Sequence, residues 1–407
     1  MLSAYKSNCN RNMEQVMIMK ATPKWYEYIL VLFLILWSGG GFTYGMFPSW
    51  MLFMLPFILF IFLYKGFKLP NQSLLLILSI IVIHFLQMLR FGGSVTFLIK
   101  PIAMTVLCGL LATILAKKFT GILVNLIYYI SLISLILWII CMFPPGLSIL
   151  RSIAVQLPLL GWENIEGNTN IVDTLYIFSI PREIDGLLRN SGPFWEPGRF
   201  TIYITLALAM NLFYYEEKLI SKRSLVLLFT NITTFSTTGY VATMVLIVVY
   251  ILFSHIKVGY KFLLCLILPI LAGYIFQLDF MSEKIISQAN DDASFSRFGA
   301  ILYHLSQIKE APFVGFGPYL VYALGDELLT SPNGLTDLIR IYGIPLSIIL
   351  FYSLYKSISL FVSRKRRSIS LGVFICVLLL CFSQTITTSP FFFLLYFLAY
   401  NNSSYDR

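Results

Sequence analysis

The residues best suited to chemistry sit in "RNSGPFWEPGRF", which runs from Arg189 to Phe200. Arg189 and Arg199 carry guanidinium groups, whose planar fork matches phosphate oxygens in pairs. Between them lies Glu196, followed by Pro197. Proline suits the first position of a helix, because its missing N–H has no intrahelical partner there. Glu196 is therefore placed at a helix mouth, beside the positive end of the helix dipole. A carboxylate so placed can take a proton as a general base or steady a developing positive charge. It can equally serve as a structural cap, or pair with Arg199 three residues on. Gly192 and Pro197 provide the bends.

A second set lies in "SRFGAILYHLSQIKEAPFVGFGP". Ser296 to Lys309 reads as an amphipathic helix. Arg297 and His304 are seven residues apart, so they share a face, about 10.5 Å apart along the axis. A cation that holds phosphate and an imidazole that moves a proton suit one extended substrate. His84 sits within an apolar run and His255 at the end of another. A lone histidine is more often packed or simply solvated, and only its ordinary pKa near neutrality recommends His304. "GFGP" (Gly315 to Pro318) marks a tight turn with close backbone approach. It is no phosphate-cradling loop, because no Lys-Ser/Thr follows. Arg90 and Lys100 lie near the ends of apolar runs, where they bind an anion or snorkel. Arg151 and Arg182 have acidic neighbours enough to pair with: Glu163, Glu166, Asp173, Glu183 and Asp185. No D-x-D pair occurs in the connections on this side, and the adjacent Asp291 and Asp292 do not converge on one ion. A metal-independent site is expected.

These segments need elements to hold them. The chain has 407 residues, of which 58% are hydrophobic and 12% charged. A soluble fold lacks the polar residues to cover so much apolar surface. Several runs reach the ~20 residues that a helix needs to cross a bilayer, without the alternation of barrel strands. The expected fold class is an all-α polytopic membrane protein. The six cysteines show no metal or disulfide spacing. The net charge of +10 reflects the cytoplasmic Lys/Arg excess of membrane proteins, so no nucleic acid is implied. No small-x-small cleavage site follows Trp37, so the first apolar run is read as a retained span.

Hydropathy and charge give about 12 transmembrane helices, near 25–40, 47–64, 72–90, 95–116, 120–143, 196–214, 224–237, 238–256, 259–278, 334–357, 368–387 and 389–401. Lys and Arg collect in every second connection, which places both termini in the cytoplasm. Residues 224–254 would make a helix of about 46 Å, too long for one crossing, and "STTG" (Ser236 to Gly239) offers a break. Two long loops, 144–195 and 279–333, fall outside, within a single membrane domain.

The order of these motifs resembles the O-antigen polymerase and O-antigen ligase superfamily of bacterial membrane glycosyltransferases. The matching pieces are "RNSGPFWEPGRF", "FSTTGYVA", "SRFGAILYHLSQIKEAPFVGFG" and "SPNGLTDLIRIYGIPLSI", spanning about residues 180 to 350. The resemblance implies a GT-C-like fold in the bacterial inner membrane with two large periplasmic loops. It implies transfer from an undecaprenyl-pyrophosphate-linked oligosaccharide without nucleotide sugar, metal or other cofactor. Its implied partners are that substrate, membrane lipid and a chain-length regulator. By motif, Arg189, Gly192, Glu196 and Pro197 belong to the first block, and Arg297, Gly315 and Gly317 to the second. Arg199 and Arg90 are added as pyrophosphate-binding candidates from their positions. Ligases carry a histidine in the second loop, for which His304 is the candidate. A repeat-unit polymerase is the favoured reading. The alternatives are a ligase that moves glycan to a lipid A-core acceptor, and a repeat-unit flippase.

Overall fold

The computed structural model describes residues 23–41, 47–157, 173–181, 183–184, 187–254, 259, 261, 297–320, 333–362 and 367–401. Among these, thirteen α-helices follow in chain order. They are α1 (Trp25–Trp37), α2 (Phe47–Tyr64), α3 (Asn71–Phe91), α4 (Thr96–Leu115), α5 (Phe119–Cys141), α6 (Pro144–Gln156) and α7 (Pro197–Phe213). The rest are α8 (Lys222–Thr233), α9 (Thr237–Phe253), α10 (Arg297–Glu310), α11 (Gly334–Phe361), α12 (Arg367–Phe382) and α13 (Pro390–Leu398). One antiparallel hairpin pairs β1 (Glu183–Ile184) with β2 (Leu187–Leu188). The expected ninth span, 259–278, lies outside the described residues but for Gly259 and Lys261, as do Arg182, residues 158–172 of the first long loop and most of the second.

Among the described residues, four helices are long and apolar enough to cross a membrane: α3, α4, α5 and α11. Helix α3 shows how the sequence divides such a helix. Leu76, Ile77, Ile80, His84 and Gln87 are buried, while Leu75, Val82, Phe85 and Leu89 stay exposed on the other flank. Apolar residues on both faces suit one face to protein and the other to lipid. At the start of α1, Lys118 donates to the buried Glu27 at 2.8 Å, tying the beginning of α5 to α1.

Other helices stop short. Helix α8 has 12 residues and α13 has nine, so they rise about 18 Å and about 13 Å against a hydrocarbon core of roughly 30 Å. At the expected twelfth span, 389–401, stands α13, a half-length helix with every residue buried, packed against α1, α4 and α11. The run 222–253 breaks at Thr234–Ser236. Ser236 opens α9 by accepting a hydrogen bond from the Gly239 amide at 3.3 Å.

Helix α11 is also interrupted, at Gly343 (φ +72°). The 311–317 turn closes that break. Phe316 N–H donates to Arg340 O at 2.9 Å, and Ile344 N–H donates to Pro312 O at 2.8 Å. Gln87 of α3 donates to both Val314 O and Ile341 O, at 2.6 and 2.8 Å. Gly315 has φ +66°, and a Cβ there would lie 2.5 Å from Ile341 O. Gly92 has a similar φ of +73° with nothing within 4 Å of a Cβ. Its ψ of −164° puts it in a region open essentially to glycine, so Gly92→Ala should cost the backbone strain alone, about 1–3 kcal/mol. Gly315→Ala should cost clearly more, measured as the loss of melting temperature in detergent.

Candidate functional site

The 189–198 segment is fastened from four sides. Trp138 Nε1 of α5 donates to Leu188 O at 2.7 Å. Asn190 is fully buried; its amide donates to Thr233 Oγ1 (3.0 Å) and Ser134 Oγ (3.4 Å), and its Oδ1 accepts from Gly192 N–H (3.0 Å). Asn190 N–H donates to Thr233 O at 2.9 Å, and Arg189 Nε donates to Thr234 O at 3.3 Å. The glycines after α1 form the fourth side. Gly41 N–H donates to Pro193 O at 2.8 Å, Trp195 N–H donates to Gly39 O at 3.3 Å, and Gly40 bridges to Phe194.

These contacts fix how deep the segment sits. Ser134 precedes the end of α5 by seven residues, so Asn190 lies about 10 Å along the helix below its end. The connection that looked like a surface loop in the sequence dips into the bundle. The breaks in the helices make the space: α8 ends and α9 begins where Asn190 and Arg189 arrive. Below it, Phe194, Tyr203 and Phe391 form a buried aromatic column, with centroids 4.6 and 4.7 Å apart.

Glu196 takes the N-cap position of α7 in extended backbone (φ −132°, ψ 140°), with Pro197 in the first helical turn and no side-chain capping bond. Its carbonyl accepts from Arg199 N–H at 3.1 Å, and its side chain is half-buried. No ion pair joins it to Arg199. Arg199 Nη1 instead donates to Ser38 O at 3.1 Å, and its guanidinium lies 4.8 Å from the Trp195 ring centroid. Gly39 makes room for it: a Cβ there would lie 2.8 Å from Arg199 Cδ. Both arginines are thus anchored to backbone carbonyls, Arg189 before Glu196 in the chain and Arg199 after it. Gly192 turns with φ +54° against Phe200.

The second set is placed differently. Arg297 opens α10, and its side chain lies outside what the structure describes. Arg90 donates to Glu310 O, the final residue of α10, and stacks on Phe91 at 5.2 Å. A cation on a helix C-terminus offsets the dipole, so Arg90 is a cap here. His304, the other proton-transfer candidate, is set inside the protein. It is fully buried between α10 and α11, with Nδ1 2.7 Å from Thr336 Oγ1 and no hydrogen bond to Nε2. Burial, reinforced by the Arg340 charge, holds its pKa down at about 3. Arg340 is itself buried, paired with Asp337 and 3.4 Å from Gln307 Oε1. Arg151 meets Asp173 at 3.5 Å, the pairing expected for it.

Sequence reasoning missed Asn190, Gln87 and the Asp337–Arg340 pair. Asn190 lies inside the quoted motif, and a buried amide is a signal only once the surrounding helices are known to be apolar. Gln87 and Arg340 were readable as polar residues within apolar runs, which carry a partner or a function. No protein-family model matches the chain, and no curated protein does.

The environment of His304 sets a pH dependence. The folded chain keeps the imidazole neutral, while the unfolded chain binds a proton below about pH 6.5. Stability therefore falls as pH drops from about 6.5 toward 3, at up to about 1.4 kcal/mol per unit. His304→Asn should flatten that slope in melting curves taken between pH 7 and pH 5.

Proposed function

We propose that this chain is a metal-independent membrane glycosyltransferase of the O-antigen polymerase kind. It joins oligosaccharide repeat units carried on a polyprenyl pyrophosphate. In this reading about twelve helices form a GT-C-like domain in the bacterial inner membrane. The 189–198 and 311–317 segments face the periplasm, and both termini face the cytoplasm. The observation that carries the proposal is the seat of Glu196: a carboxylate at the mouth of α7, on a segment whose arginines are anchored to backbone carbonyls and whose Asn190 reaches about 10 Å below the end of α5. That depth matches a substrate whose lipid tail stays in the bilayer and whose reacting sugar sits at its surface. The motif resemblance supports the same reading.

The step follows from the groups present. The acceptor hydroxyl oxygen attacks the anomeric carbon of the donor. Its proton passes to the Glu196 carboxylate. The bond from the anomeric carbon to the pyrophosphate oxygen breaks, and the leaving polyprenyl pyrophosphate keeps the electron pair. Arg189 and Arg199, with Arg297 from the second segment, offset the charge that develops on it. The burial of His304 weighs against the ligase alternative, which needs a reachable histidine in the second loop.

Glu196→Gln should leave the protein in the membrane fraction at wild-type level. Chain growth on purified lipid-linked repeat units in proteoliposomes should fall by about 10²–10⁴-fold, the usual share of a general base. Wild-type rates in that variant would remove Glu196 from the scheme.

A further inference from the structure

Helix α6 was read from the sequence as part of a loop, yet it has three distinct faces. Ala154 is buried, and Leu147 and Leu150 are half-buried, so one face packs on the protein. Ser148, Arg151, Ser152 and Gln156 supply the polar groups of a second arc, along a shallow groove that Pro144, Leu147 and Val155 also line. Ile149 and Ile153 occupy the remaining arc, about 40° apart at the helical repeat, and are 61% and 47% exposed. Two exposed isoleucines one turn apart, facing neither the protein nor the polar arc, call for an apolar medium.

The neighbouring surface says which medium. Helix α5 directly precedes α6 and presents Ile133, Ile136, Ile139 and Ile140 outward along its length, the flank that a spanning helix turns to lipid. Met142 and Phe143, in the connection, are exposed at 53% and 63% and carry that apolar surface on to α6. The chain turns there: Phe143 is extended, Pro144 and Pro145 start the new helix, and a Cβ at Gly146 would lie 2.3 Å from Ile140 O. Helix α6 therefore leaves the end of α5 in a new direction. Its one charge, Arg151, is matched by Asp173. Attraction to anionic headgroups is therefore not what would hold it.

We propose that α6 is an interfacial helix. Its Ile149–Ile153 flank inserts into the acyl boundary of the leaflet at the Cys141 end of α5, and its polar arc faces water. The insertion reaches the candidate site through backbone. Arg151 holds Asp173, Ile180 N–H donates to Asp173 O at 2.8 Å, and Ser179 N–H donates to Gly192 O at 2.6 Å. This inference stands apart from the catalytic reading.

The test places single cysteines at Ile149, Ile153, Ser148 and Ser152 in the full chain, labelled with an environment-sensitive fluorophore in zwitterionic proteoliposomes. Labelling of the unsubstituted protein gives the background from native thiols. Nitroxide-bearing lipid should quench the labels at 149 and 153 and spare those at 148 and 152, while aqueous iodide should do the reverse. Adding anionic lipid should leave this pattern unchanged. Iodide reaching 149 and 153 as fully as 148 and 152 would overturn the proposal. So would labels at 149 and 153 that neither quencher reaches, since protein would then cover that face, and so would lipid quenching that appears only with anionic lipid.

Discussion

A helix that stops partway through an apolar layer leaves backbone groups that no water can reach, and each costs several kcal/mol unless something accepts it. Among the described residues, helices stop in that way at three places that the two connecting segments answer. The end of α8 at Thr233 and Thr234 is met by Asn190 N–H and Arg189 Nε. The break in α11 at Gly343 is met by Phe316, Pro312 and Gln87. The end of α1 at Ser38 to Gly41 is met by Arg199, Pro193 and Trp195. The two connecting segments therefore complete the helices; they are not loops laid over a finished bundle.

Seen this way, the glycines and the arginines share one purpose. Gly39, Gly315 and Gly343 let backbone approach closer than any side chain would allow, so that donors can reach stranded carbonyls. Arg189 and Arg199 each give a hydrogen bond to such a carbonyl, which fixes the position of the cation. A fixed cation near a carboxylate is a preorganised electrostatic environment, and the same bonds that satisfy the backbone create it. Under the proposed function, stability and chemistry would draw on one set of contacts.

The sequence made part of this legible. The long apolar runs of α3, α4, α5 and α11 declare themselves by length and composition. Pro197 after Glu196, the break at "STTG", and the "GFG" turn were readable because proline, serine and glycine each have a local backbone reason to be there. What could not be read was depth. Nothing in "RNSGPF" distinguishes a surface loop from one sunk beside Ser134, because the distinction rests on partners 43 to 56 residues away. The same blindness applied to His304. Its type suggested proton transfer, whereas its fate is set by Thr336 and Arg340 on another helix.

The nine residues of α13 form part of the innermost packing of the molecule, with Phe391 and Phe393 touching Tyr203 and Tyr342. A stretch so short has too little length to sit stably in lipid by itself. It therefore has to enter the bilayer together with α12 or be received directly by helices already in place. Twelve of the thirteen described helices precede it in the chain, so during synthesis they must hold a slot open, or loosely closed, until it arrives. Consolidation of the centre is thus a late event in biogenesis, and the nascent bundle passes through a stage with an unfilled middle.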